Sequence, residues 1–471
     1  MRKTFLALCG AIGFAWAAPA QAQTALQIGG ESEFRAIYEE MVEIDSSPTT
    51  GSCTRVAEAV SARLLGAGFS GEDVRVIIPD GRPDDGNVVA TLRGSNARAG
   101  ALLLLAHIDV VDARREDWER DPFTLIEENG YFYGRGAIDD KAMAAIFVDM
   151  FIRFRAENFR PRRTIKLALT CGEETSDRVN GVEYLLANHR DLIQAEFAIN
   201  EGAGGILNAA GEPVALNIQA GEKIHQVYAL EVTNPGGHSS RPVAENAIYR
   251  LSRGLDRLSA YAFPVELTAA TRAFFQRMGP IVGGETGAAM AALARDPSNA
   301  SAAAILARDP SYNAIMRTTC VATQLEAGHA PNALPQRARA ILSCRILQGH
   351  SAEEVQGVIA AAVADEQIAV QIVRRREGSN APPLSPRILN VIERRAAQLW
   401  PNTPLVPIMI AGATDGRFLN SAGIATYGVS GIFGVPGENN AHGLNERVRV
   451  QSVMQGRVFL DGIVLDYSQM R

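Results

Sequence analysis

Hydrophobic and polar positions alternate along this chain in two rhythms. Residues 31–44 and 53–65 carry apolar side chains at helical spacing, and 74–78 and 87–92 read as short strands. Residues 102–111, LLLLAHIDVV, form the most apolar of the early runs. Four consecutive leucines followed by valines predict a strand buried on both faces, as in a parallel sheet. Residues 164–170 and 197–199 predict two more such strands, with an apolar helix over 142–155. Each of these three strands ends in chemistry-bearing residues: His107 and Asp109, then Cys171-Gly-Glu173-Glu174, then Glu201-Gly202. Open α/β sheets bind ligands outside the carboxyl ends of their strands. A solvated face would mix in Lys and Arg, and these strand ends do not.

The texture changes near residue 222. Strand 225–233, helix 244–258, strands 313–325 and 338–347, helix 352–364 and strand 368–373 follow in the order β-α-β-β-α-β. That order predicts a ferredoxin-like α+β unit, with an Ala- and Gly-rich helical stretch at 285–310 inside it. The segment GSNAPPLSP at 378–386 reads as a linker. Helix 387–400, strand 408–412 and helix 448–467 return to the first texture. The expected division is therefore 1–22, 23–221, 222–377 and 378–471, the second and fourth pieces forming one domain interrupted by the third.

The 471 residues carry a formal net charge of −6 with 21% charged positions, and no basic, aromatic-interleaved stretch suggests nucleic acid. Residues 1–22 have the form of an export leader: Arg2 and Lys3, an apolar run, then Ala20-Gln-Ala22 as a cleavage site. Cleavage after Ala22 implies a periplasmic or secreted protein. Leu8 before Cys9 is too bulky for a lipid-attachment site, and no later run spans a bilayer, so no stable membrane anchor is expected. The remaining cysteines, Cys53, Cys171, Cys320 and Cys344, are too few for a disulfide scaffold. Cys320 and Cys344 fall on two strands expected to be adjacent, either as a bridge or as two buried thiols.

An imidazole and a carboxylate at i and i+2 of a strand share a face. His107 and Asp109 are then either a paired core histidine beside a loop aspartate, or a metal ligand with the carboxylate that orients it. Asp139 and Asp140, before the helix at 142, are either capping residues or a metal-bridging carboxylate. Gly237-His238-Ser239-Ser240 offers a serine, but no nucleophile-elbow motif accompanies it.

Six motifs together, HID at 107–109, GRGAIDDK at 134–141, CGEE at 171–174, NEG at 200–202, GGHSS at 236–240 and AHGLNE at 441–446, resemble the dinuclear-zinc metallopeptidases. That family includes glutamate carboxypeptidase, succinyl-diaminopimelate desuccinylase, aminoacylases and carnosine dipeptidases. The resemblance covers the mature chain. It implies a zinc-exopeptidase-like α/β catalytic domain with a mixed, mainly parallel sheet and an inserted lid and dimerisation domain. It implies two Zn2+ per subunit, with Co2+ or Mn2+ as substitutes. His107 and Glu201 would be terminal ligands of one ion, Glu174 and His442 of the other, and Asp139 would bridge them. Glu173 would be the general base acting on a metal-bridged hydroxide, with Asp109 orienting His107. His238 would reach a partner subunit's site in a homodimer, and Asn332, Arg345, Gly412 and Thr414 would contact substrate. Ser343 departs from the acid that commonly stands two residues before that arginine. The activity implied is release of a C-terminal amino acid from a peptide, with N-acyl-amino-acid hydrolysis as the alternative and a non-catalytic binding protein as a more distant one.

Overall fold

The computed structural model describes residues 28–175, 177–375 and 380–470; the leader expected at 1–22 and residues 378–379 of the expected linker lie outside them. Its centre is a ten-stranded sheet in the order Val74–Ile77, Asn87–Leu92, Ile165–Thr170, Leu102–His107, Phe197–Asn200, Ala425–Gly428, Pro213–Glu222, Gly205–Leu207 and Phe433–Gly434, with Leu405–Ile410 joining Pro213–Glu222. The strands Ile165–Thr170, Leu102–His107, Phe197–Asn200 and Ala425–Gly428 run parallel to one another.

The leucine run behaves as its pattern requires. Leu102, Leu104 and Ala106 pack into one core and Leu103 and Leu105 into the other, on opposite faces of the pleat. Helix Lys141–Ala156 lies in the larger core and is buried nearly all round. Helix Glu31–Glu43 buries Phe34, Ile37, Tyr38, Met41 and Val42, the i, i+3, i+4 stripe of an amphipathic helix. Helices Pro386–Leu399 and Val450–Gln469 complete that layer. Helices Gly181–Asn188 and Gly416–Ser421 help cover the opposite face.

The second sheet is antiparallel, in the order Thr319–Ala327, Arg337–Ile346, Ile224–Thr233, Ala369–Arg374. Helices Ala247–Ala260 and Ala352–Val363 pack on it around Tyr228, Leu230, Leu251, Leu342 and Ile359. This is the ferredoxin-like lid. Strand Pro213–Glu222 of the central sheet passes into lid strand Ile224–Thr233 through Lys223 alone. The buried Lys223 ammonium donates to the carbonyls of Ala314 and Arg317, each at 2.8 Å, and to Thr319 Oγ1 at 3.1 Å.

One expectation is corrected. The strand expected from 313 starts at Thr319, because residues before it form helix Pro310–Met316. Asp309 caps that helix by accepting from the Ser311 and Tyr312 N–H groups, and Pro310 occupies its first turn. The alanine-rich stretch is three helices, Gly284–Arg295, Ala300–Leu306 and Pro310–Met316, preceded by Ala269–Val282. They pack against Ala215 and Val406 of the central sheet rather than on the lid sheet. The four cysteines outside the leader resolve an open alternative, since Cys320 and Cys344 form the bridge. All four are bridged, Cys53 to Cys171 and Cys320 to Cys344.

Candidate active site

Parallel pairing sets His107 opposite Thr170, so the residues after both strands leave the sheet at one edge. Glu201 follows the next parallel strand at that edge. The tight turn 134–140 carries Asp139 in from the side, and the loop after Phe433–Gly434 brings His442.

Asp139 stands between two imidazoles. Its Oδ1 lies 3.0 Å from His107 Nε2 and its Oδ2 3.1 Å from His442 Nε2. His442 Nε2 is also 2.9 Å from Glu174 Oε2. His107, Asp139 and Glu174 present ligand atoms within 4.8 Å of one another. Glu201 and Glu173 add two carboxylates, each pushed up by burial. Asp140 is buried, and its Oδ2 has no hydrogen-bond partner among the described residues. The Asp139–Asp140 peptide bond is cis.

Asp109 lies against both His107 and the glutamate turn. The strand ends at His107, and the His107 Nδ1 partner is the Asp109 main-chain carbonyl at 3.0 Å; the carboxylate Oδ1 is 3.7 Å away. The carboxylate instead accepts from the N–H groups of Glu173 at 3.3 Å and Glu174 at 3.0 Å. Asp109 thereby fixes both the ring of His107 and the turn that carries the two glutamates.

Negative charge dominates the cluster. Five carboxylates, Asp139, Asp140, Glu173, Glu174 and Glu201, converge with two imidazoles. Burial alone would raise Asp139, but hydrogen bonds from His107 and His442 hold it well below the usual carboxylate range. The Asp139 and Glu174 carboxylates raise His442 to about 10. Burial lowers His107, and its bond to Asp139 with the surrounding carboxylates outweighs this and raises it. The cluster thus holds more carboxylates than imidazoles, a surplus of negative charge that divalent cations would offset. Mixed imidazole and carboxylate donors suit zinc, cobalt or manganese, so the residues present fit a dinuclear centre.

Several supporting residues carried no assignment in the sequence. Glu446 accepts from Arg135 Nη1 at 2.7 Å and from the N–H groups of Gly136, Ile138 and Asp139 at 3.0, 2.9 and 3.3 Å. Arg135 also donates to the Gly443 carbonyl at 2.8 Å. This buried pair joins the turn bearing Asp139 to the loop bearing His442. Asp415 accepts from Thr170 Oγ1 at 3.1 Å and Asn180 Nδ2 at 2.5 Å behind the glutamate turn. Arg178 lies 3.6 and 3.5 Å from the sulfurs of Cys53 and Cys171 and donates to the carbonyls of Ser47, Gly51 and Asp84. The Cys53–Cys171 bridge therefore ties the start of CGEE to helix Cys53–Gly66.

The substrate-contact candidates separate into two groups. In the lid, Gly237–His238 pairs with Ala333–Leu334, and Ser239 N donates to the Asn332 carbonyl, so His238 and Asn332 are neighbours. Both are exposed. His238 Nδ1 is held by Ser240 Oγ at 2.7 Å, which leaves Nε2 outward. Neither makes a hydrogen bond to the carboxylate cluster among the described residues. Arg345 is half-buried; burial, and after it the charge of Arg417, push it down. Ser343 bonds His225 Nε2 at 3.1 Å and supplies no acid for Arg345. Gly412 is exposed, whereas Thr414 is buried with its N–H on Glu222 at 2.7 Å and its hydroxyl facing Asn200 and Gly416.

A family model described as peptidase family M20/M25/M40 matches residues 103–466. The mouse N-fatty-acyl-amino acid synthase/hydrolase PM20D1 is 28% identical over 77% of this chain and 73% of its own. A probable carboxypeptidase S-like 1 of Dictyostelium discoideum is 27% identical over 79% and 74%. Among solved structures, the M20 family metallo-carboxypeptidase Sso-CP2 from Sulfolobus solfataricus superposes with a TM-score of 0.67 at 20% identity, covering 93% of this chain and 99% of that one. With the fold, the converging carboxylates and this match in agreement, the chain belongs to peptidase family M20/M25/M40 and is a hydrolase.

Proposed function

We propose that the protein hydrolyses the amide bond before a terminal amino acid whose α-carboxylate is free, and that its physiological substrates are N-acyl amino acids. The observation that carries the hydrolytic reading is Asp139 with one oxygen toward each of two imidazoles, beside a turn that bears a separate glutamate. His107 and Glu201 would hold one ion, Glu174 and His442 the other, with Asp139 between them. Zn2+ is the first expectation, with Co2+ or Mn2+ as substitutes. Two such ions would polarise the scissile carbonyl and bring the pKa of water toward neutrality. Glu173 takes the proton from the attacking water and returns it to the leaving amine as the C–N bond breaks. The Asp109 carboxylate accepts from the Glu173 N–H and so holds the turn that carries Glu173.

Arg345 and Arg417, whose charges act on one another, would offer positive charge to the free carboxylate, with the exposed Gly412 on the same loop as Arg417. Thr414 shapes that loop from within. His238 and Asn332 would act in trans, His238 Nε2 stabilising the oxyanion of a partner's substrate, so the working unit would be a homodimer. The exposed lid edge Thr319–Ala327 supports this, because Val321 and Leu325 are 62% and 61% exposed there and an uncovered apolar edge invites pairing.

The mouse relative, an N-fatty-acyl-amino acid synthase/hydrolase, favours the acyl substrate. Release of a C-terminal amino acid from peptides is the second reading, supported by the carboxypeptidase S-like relative. The leader at 1–22 would place the protein in the periplasm or outside the cell, and two disulfides accord with an oxidising compartment. Amino-acid release from a panel of N-acyl amino acids and unblocked peptides, with and without chelator, tests the proposal. Chelator-sensitive release from acyl amino acids supports it, release from peptides alone selects the second reading, and no release from metal-loaded protein removes both.

A further inference from the structure

A cavity of about 400 Å3 opens on Asp139, Asp140 and Glu201 and runs away from them toward Tyr131 and Arg449. Its walls include Ile138, Ile206, Ile432, Phe433, Val435 and Val448. No wall comes from the lid or from the 412–417 loop. Glu201 also borders the small space that contains Thr414 and Gly416, so it separates that loop from the cavity. A substrate with its carboxylate at Arg345 and Arg417 and its amide at Asp139 therefore directs the group on the carbonyl side into the cavity.

At the far end one ion pair, Glu438 with Arg449, stands beside Arg447, which is held by a carbonyl and by tyrosine rings. Glu438 accepts from Arg449 Nη2 at 2.9 Å and from the Tyr131 hydroxyl. Arg447 donates to the Glu438 carbonyl at 3.1 Å and lies 4.6 Å over the Tyr131 ring. Of the other polar walls, Asn217 Oδ1 has no partner among the described residues, a need that a single water meets. At roughly 30 Å3 per methylene, close to the volume of a water molecule in the liquid, the space accommodates an alkyl chain of at most about thirteen carbons.

We propose that this cavity is the acyl-chain subsite, that the acyl group is a medium-length alkyl chain, and that Gly434 and Ile206 set its length. The proposal rests on the amide-hydrolase reading above. Gly434 lines the cavity, and a Cβ there would meet no atom within 4 Å, so a larger side chain can project into it without moving the backbone. At the neighbouring Gly205 a Cβ would strike the Phe433 ring.

The test compares acetyl, hexanoyl, decanoyl, palmitoyl and succinyl derivatives of one amino acid on the metal-loaded full chain. kcat/KM should rise at least about a hundredfold from acetyl to decanoyl, because each buried methylene favours binding. Gly434→Leu should lower the decanoyl-to-acetyl ratio at least about tenfold and weaken competitive inhibition by decanoate in step. Ile206→Ala should raise the palmitoyl-to-decanoyl ratio, which keeps the proposal testable if the leucine variant does not fold. Hydrolysis with a flat chain-length profile, a preference for succinyl, or variants that scale all substrates alike overturns the proposal and leaves the amide-hydrolase reading standing. No hydrolysis of any derivative removes that reading and the proposal with it.

Discussion

Asp139 is the residue on which the account turns, since each of its oxygens faces a different imidazole. Glu173 is the residue that separates chemistry from assembly. Glu173→Ala should lower turnover by about a hundredfold or more while metal content, measured by elemental analysis, stays near wild type. Loss of metal together with activity would make Glu173 a ligand instead. Glu446 is a different case, because it contacts only protein. Glu446→Ala leaves Arg135 buried without its carboxylate and should cost about 3–5 kcal/mol, read as a fall in the thermal midpoint; an unchanged midpoint would contradict the pairing. The ligand candidates were legible because strand ends bearing His, Asp and Glu stand out against apolar runs. Glu446, Asp415 and Arg178 were not, because their partners lie far away in sequence: Arg135 for Glu446, Thr170 for Asp415, Cys53 for Arg178. No local pattern marks such a pair.

Elements followed the same division. The leucine strand, the helices at 31 and 53 and the lid's strand order were readable, since burial on one or two faces writes a period into the sequence. The residues before Thr319 were misread because Asp309-Pro310 starts a helix that the apolar content alone does not reveal. The Cys53–Cys171 bridge was invisible because it joins a helix start to a strand end 118 residues apart. The lid junction carries a pH dependence of its own. Burial lowers Lys223 from 10.5 to about 7, so between those values the unfolded chain holds a proton that the folded chain lacks, and stability rises with pH. Burial raises Glu222 from 4.5 to about 7, which gives the opposite slope below neutrality: stability falls as pH rises through that window. Lys223→Met should remove the alkaline rise, seen as thermal midpoints that diverge from wild type above pH ~7. Parallel curves would show that the ammonium is not desolvated.

At the scale of the whole molecule, strand Pro213–Glu222 of the catalytic sheet continues into lid strand Ile224–Thr233, and the His238 loop makes no hydrogen bond to the carboxylate cluster among the described residues. If His238 serves the partner, mixing inactive His238→Ala and Glu173→Ala proteins under subunit exchange should restore activity at about a quarter of the sites, since only mixed dimers hold one complete site. No recovery, with exchange shown independently, would place His238 in its own subunit or outside the mechanism. The central claim is metal-dependent cleavage of an amide before a free amino acid. The most direct measurement is free amino acid released from N-decanoyl amino acids by the protein after chelation and again after stepwise return of Zn2+. The account predicts no release from stripped protein and full release once about two ions per chain are bound. Activity that survives chelation, or none with both ions bound, would contradict it.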